Sequence, residues 1–199
     1  MLSREFYRRP TLKVARDLLG KTLVHRTPEG TTRGIIVEVE AYIGEDDAAC
    51  HAAPGPTRRN APMYGEPGHA YVYLNYGIHS LMNIVTEPPG SPAAVLVRAL
   101  EPIEGVRLMR QRRQVRGAPA RPDHELCRGP GNLTRALGIT LEENGADLLG
   151  RRLYIEDAGR RVEKCAWSPR VGIRVGTDRL WRCYALDSRA VSGRRWLKS

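Results

Sequence analysis

Lysine is nearly absent from this 199-residue chain. Lys13, Lys21, Lys164 and Lys198 are the only four, and the other 28 of its 32 cationic residues are arginines. A GC-rich coding sequence accounts for that ratio. It does not account for the formal net charge of +10, which points to a polyanion such as nucleic acid. Cysteine is sparse and scattered: Cys50, Cys127, Cys165 and Cys183 form no CxxC pair and have no His-rich neighbour, so neither a zinc site nor a secreted disulfide framework is expected. No signal peptide and no apolar run of membrane-spanning length occurs, and the reading is a soluble, cytoplasmic chain with no membrane association. A phosphate-binding P-loop, a dinucleotide-binding glycine pattern and a nucleophile elbow are all missing. No internal repeat is visible.

What is present fits one domain over residues 1–199. Thr11 is placed to cap a helix over Leu12–Leu19, closed by Gly20. Lys21–Arg26 and Arg33–Tyr42 read as strands around a Pro28-Glu29-Gly30 turn. In the second strand, alternation puts Ile35, Val37, Val39 and Ala41 on a core face and Glu38, Glu40 and Tyr42 on a face turned to a groove or solvent. Residues 52–69 are a loop rich in Pro, Gly and Arg. Ala70–Asn75 and Ile78–Val85 form a hairpin with Tyr76-Gly77 at its tip. Ala93–Leu100 is a further strand with Arg98 inside it. Pro102 can open a helix that continues through Val106–Arg113, and a short helix ends at Gly138. Short strands follow over Arg151–Ile155, Val171–Val175 and Trp181–Ala185, then a basic tail, Gly193–Ser199. Without regular βαβ alternation this is an α+β fold: a single compact domain with a mainly antiparallel sheet.

The chemistry-bearing residues gather between Val37 and Asn83. Glu40 suits a general base, although a solvated strand carboxylate is the commoner fate of a lone Glu, and Glu38 competes for the same role. His51 suits a polar contact to a base edge or an ordinary structural hydrogen bond. Tyr71 and Tyr73 suit base stacking or a sheet face that favours aromatics. Tyr76, at a hairpin tip beside Gly77, is poorly placed for core packing and suits a wedge between base pairs. Asn83 and Arg98 sit in apolar runs and need partners there. The arginines at 107, 110, 112 and 113 are either a solvated helix face or an addition to a phosphate-binding surface. Residues alone support a basic α+β protein that binds nucleic acid and acts on a base.

The motifs carry a more specific likeness. They are Glu38-Val39-Glu40-Ala41-Tyr42-Ile43-Gly44; Asp46 to His51; Arg59-Asn60-Ala61-Pro62-Met63-Tyr64; Pro67-Gly68 with Tyr71-Val72-Tyr73 and Tyr76-Gly77; Met82-Asn83-Ile84; Val95 to Pro102; Gly129-Pro130 with Leu133; and Arg170-Val171-Gly172. In this order and spacing the chain resembles the alkyladenine (3-methyladenine) DNA glycosylase family, over essentially its whole length. The resemblance implies a curved antiparallel sheet from which the hairpin projects. It implies a monofunctional glycosylase of base excision repair that flips alkylated or deaminated purines out of duplex DNA and hydrolyses the glycosidic bond. Glu40 would activate the water, held also by Arg98 and the carbonyl of Val171. Tyr42, His51 and Tyr73 would form the base pocket, Asn83 would screen exocyclic groups, and Tyr76 would fill the gap left by the flipped nucleotide.

No metal or organic cofactor is implied. The implied partner is double-stranded DNA containing damaged purines, bound by a monomer with no obligate protein partner, in association with the bacterial nucleoid. No lysine at these motifs is available for a Schiff base. His79, Ser80 and Asn132 depart from the mammalian pattern and bear on substrate range and DNA affinity. The competing reading is a non-catalytic basic nucleic-acid-binding module, which gives no reason for two carboxylates on a strand that faces phosphate.

Overall fold

The computed structural model describes residues 1–193, so the expected basic tail lies outside the described residues beyond Gly193. Its helices are α1 (Arg4–Tyr7), α2 (Thr11–Leu18), α3 (Val106–Arg113), α4 (Asp123–Leu126) and α5 (Pro130–Leu137). Its strands are β1 (Thr22–Thr27), β2 (Gly30–Ile43), β3 (Ala70–Asn75), β4 (His79–Val85), β5 (Ala93–Glu104), β6 (Leu153–Glu156), β7 (Cys165–Ser168) and β8 (Arg182–Ala185). Every pairing is antiparallel, in one curled sheet of order β3-β4-β5-β2-β1-β6. This is the expected α+β fold. None of its described helices is long and apolar enough to cross a membrane.

The 14-residue β2 organises the molecule. One edge pairs with β5 along nearly its whole length. The other edge pairs with β1 up to Ile35, and then with β8 from Glu38 to Glu40. The change of partner coincides with a break in register. Ile36 pairs with Leu100, Glu38 with Ala99 and Val39 with Val97, so Val37 on β2 and Arg98 on β5 have no opposite number. Each is an extra residue of the bulge kind, which bends a strand and re-aims side chains.

That irregularity corrects the expected face assignment. Ile36, Val39 and Ala41 enter the main core, whereas Ile35 and Val37 pack in a smaller cluster with Ala99 and Tyr184. Nor do the carboxylates face solvent: Glu38 and Glu40 are both fully buried.

Three further expectations are corrected. No strand forms over Val171–Val175, because Gly172 and Gly176 adopt positive φ and turn the chain; a strand at Cys165–Ser168 pairs with β8 instead. Pro102 opens no helix. It stays in β5 opposite Gly34, and α3 starts only after Gly105, at φ 71°. A Cβ at residue 34 would come within 2.9 Å of the Leu100 Cβ, so only glycine lets the strands pass there. Thr11 is the first helical residue and not a cap; its hydroxyl donates to Glu87 at 2.6 Å.

The β3–β4 hairpin forms as expected. Tyr76 and Gly77 both have positive φ, 50° and 71°, the signature of a type I′ turn. Helix α5 packs behind it on β4 and β5 through Leu133, Ala136 and Leu137.

Candidate active site

Glu40, Arg98 and Val171 come together from three distant parts of the chain. Tyr42 donates its hydroxyl to Glu40 Oε2 at 2.9 Å, and Arg98 donates Nη1 to the same oxygen at 3.3 Å. The backbone N–H of Val171 donates to Oε1 at 2.7 Å. An ionised carboxylate offers about four acceptor positions, so three donors leave Glu40 room for about one more, such as a water. Glu38 differs. Its Oε1 accepts from Arg98 Nε (3.2 Å), Arg182 Nε (2.6 Å) and the Ser192 hydroxyl (3.0 Å), and its Oε2 accepts from the Ser192 N–H (2.6 Å). With four donors around it, three of them on Oε1, Glu38 is more heavily engaged than Glu40.

Arg98 is therefore held between two buried acids. Burial works against its charge, but Glu40 and Glu38 outweigh it and the guanidinium pKa is raised. Burial and the adjacent Glu40 likewise push the Tyr42 phenol far up, so it remains a hydrogen-bond donor to the carboxylate.

Tyr42, His51, Tyr73 and Asn83 line one cavity, joined by Ala49, Met63 and Tyr71. Its free volume is ≈ 20 Å³, room for a water and too small for a purine. Two of its lining rings, His51 and Tyr73, touch with centres 4.4 Å apart at 64°. His51 Nδ1 lies 2.8 Å from the Tyr71 hydroxyl, and burial followed by the nearby Arg59 charge lowers the imidazole pKa. Asn83 donates Nδ2 to the Tyr71 carbonyl at 3.1 Å, which satisfies its buried amide. Behind Tyr42, the Arg170 guanidinium stacks 4.6 Å from the ring centre. Arg170 is fixed by a two-pronged bond to the buried Asp47, at 2.5 and 2.7 Å, and by a bond to the Ala41 carbonyl. Although burial raises its pKa, the hydrogen bonds and charge of Arg170 win, and Asp47 is lowered overall.

Tyr76 stands apart from this cavity. It lies at the hairpin tip, 86% exposed, with the exposed Ile78 beside it. The departing residues cluster nearby: His79, Ser80 and Asn132 line a groove beside the tip of the hairpin, where Asn132 donates to the Arg128 carbonyl at 2.7 Å.

Comparison with known proteins agrees over nearly the whole chain. A family model described as methylpurine-DNA glycosylase matches residues 5–189. The chain belongs to the methylpurine-DNA glycosylase family. It is thereby a member of a family of DNA glycosylases. A relative from Methanocella arvoryzae named "Putative 3-methyladenine DNA glycosylase" is 53% identical over 98% of this chain and 96% of its own length. Relatives of the same name from Chlorobium phaeobacteroides and Rubrobacter xylanophilus are 50% and 48% identical, over 98% and 87% of this chain and 96% and 87% of their own lengths.

Within this candidate site, residue-by-residue reading missed several participants. Arg170 and Asp47 fell inside matching blocks but had no pattern that paired them across 123 residues. Tyr71 was open to base stacking or an ordinary sheet position, and neither reading anticipated that its hydroxyl lies 2.8 Å from His51 Nδ1. Arg182 and Ser192 gave no signal except, for Arg182, a cation placed in an apolar strand. The same anomaly singled out Arg98 and could have singled out Arg182.

Proposed function

We propose that this protein is a monofunctional glycosylase that removes alkylated purines, 3-methyladenine among them, from duplex DNA, acting in the cytoplasm on nucleoid DNA. The observation that carries this reading is the Glu40 carboxylate. It is fully buried and held by three donors, with an acceptor position to spare, and one of those donors, Tyr42, lines the aromatic cavity.

On this reading Glu40, Arg98 and the Val171 carbonyl hold a water against C1′ of the flipped nucleotide. The water's oxygen bonds to C1′ while its proton passes to Glu40, a step worth about 10²–10⁴-fold for a positioned base. The C1′–N bond breaks, and its electron pair leaves with the base, cancelling the positive charge of an alkylated purine. An abasic site remains. Stacking a cationic base on Tyr42 and Tyr73 adds about 0.5–2 kcal/mol of cation–π attraction. His51 offers a polar contact to the purine edge. Asn83, in the cavity wall, would screen out a guanine 2-amino group, and Tyr76 would replace the flipped nucleotide in the stack. Entry of a base requires the side chains that line the cavity to move apart, since its volume of ≈ 20 Å³ does not hold a purine. None of Lys13, Lys21 and Lys164 lines it, in keeping with hydrolysis and not Schiff-base chemistry.

The test is release of free 3-methyladenine from alkylated duplex DNA in the presence of excess EDTA, with Glu40→Gln in parallel. Wild type should release base. Glu40→Gln should release none while still binding an abasic-analogue duplex. Near-normal single-turnover release by Glu40→Gln would overturn the assignment.

A further inference from the structure

Of the four arginines of α3, three have evident settings. Arg112 pairs with Glu29 at 2.6 Å, Arg110 pairs with Asp123 at 2.5 Å, and Arg107 is exposed. Arg113 is different. It is 8% exposed and donates Nε to the Leu126 carbonyl at 3.1 Å. Among the described residues no carboxylate pairs with it and no acceptor meets its terminal nitrogens. Those nitrogens are not sealed in protein either; the side chain opens on a cavity of ≈ 350 Å³ between α3 and the 114–122 loop. Arg107, Arg110 and Arg121 line the same cavity, with Val115 and Leu126 on its apolar side. Burial and the charges of Arg121 and Arg135 press the Arg113 pKa down. A buried cation among like charges is costly unless an anion joins it.

We propose that Arg113 anchors a phosphate-binding site in this cavity, separate from the aromatic pocket. A guanidinium fork binds two oxygens of a phosphate at once, and the neighbouring arginines supply the surrounding positive field. The phosphate has two sources, a DNA backbone diester or free phosphate. Geometry near the hairpin favours the diester. Arg113 also lines the ≈ 300 Å³ groove beside the tip of the hairpin, with His79, Ser80, Asn132 and Arg135. If Tyr76 enters a duplex, as the glycosylase reading requires, the backbone beside it comes within reach of that groove.

Two measurements on Arg113→Gln test this. The first compares thermal melts in sodium phosphate and in sodium chloride at equal ionic strength. Phosphate should raise the wild-type Tm more than chloride does, and Arg113→Gln should lose that increment. The second is the salt dependence of binding to an undamaged duplex. Its slope should fall by about one unit, the loss of one phosphate contact. Base release at saturating DNA should be unchanged. A lost increment with an unchanged slope assigns the site to free phosphate. An increment and a slope both unaffected by the substitution overturn it. The melting arm involves no DNA, so it stands or falls independently of the glycosylase reading. If Arg113→Gln does not fold, Arg121→Gln, on the exposed wall of the same cavity, carries both measurements. Wild-type values for that variant in both would also overturn the site.

Discussion

Glu38 holds Arg98 by its Nε at 3.2 Å, which leaves Nη1 to reach Glu40 at 3.3 Å. The two acids are two residues apart on one strand, yet they have different surroundings. Glu38 also compensates Arg182 and ties down Ser192, so it is the electrostatic keystone of the C-terminal segment. Glu38→Gln should therefore destabilise the fold by about 3–5 kcal/mol, the cost of breaking a buried pair, seen as a Tm lower by roughly 6–20 °C. Glu40→Gln leaves Arg98 paired with Glu38 and should cost less stability while abolishing base release. Parallel melts decide it: a Glu38→Gln protein that melts like wild type would show that the network does not hold the fold.

Tyr76 should contribute to DNA binding and not to stability. Its ring is exposed at the turn. Tyr76→Ser should weaken binding to an abasic-analogue duplex by about 1–3 kcal/mol, the scale of one aromatic–base stack, with Tm nearly unchanged. A large fall in Tm at unchanged affinity would make the side chain a packing residue.

His51 should titrate below its ordinary value of 6.5, because burial and then the Arg59 charge disfavour the imidazolium. The sign follows directly. A depressed folded-state pKa means that the unfolded chain takes up the proton first, so this group's contribution to stability is present above pH 6.5 and is lost as the pH falls below it. Arg59→Gln removes the like charge and should move the His51 titration upward. Proton NMR of the ring through pH 4–8 in both proteins measures it. A His51 pKa that does not rise in the variant would dismiss Arg59 as a cause.

Asn83 should govern discrimination among purines. Its buried amide is fixed by the Tyr71 carbonyl and forms part of the cavity wall. Asn83→Ser opens space there, and excision of guanine-type bases should rise relative to adenine-type bases. The ratio of single-turnover rates on 7-methylguanine and hypoxanthine duplexes reports it; an unchanged ratio would remove Asn83 from the selectivity argument.

Much of this was legible in the chain. The period-2 pattern of β2 and the Tyr76-Gly77 turn depend on local backbone preference, which a sequence states openly. Charge gave the class of partner, and the ordered motifs gave the family. Local pattern went wrong where a distant strand intervened. The breaks in register at Val37 and Arg98 come from how β2 and β5 meet, and nothing within residues 33–42 announces that.

By itself, then, the sequence determined a basic, antiparallel α+β chain with an exposed aromatic turn and two acids on one strand. Only the tertiary structure set the surroundings of those acids apart. Glu38 meets donors from Arg98, Arg182 and Ser192, and Glu40 meets the N–H of Val171, 131 residues away in the chain. The reason is that a carboxylate's capacity to take a further proton donor depends on how many already surround it. Those donors are gathered by strand pairing and loop docking, which bring together groups that no local pattern relates.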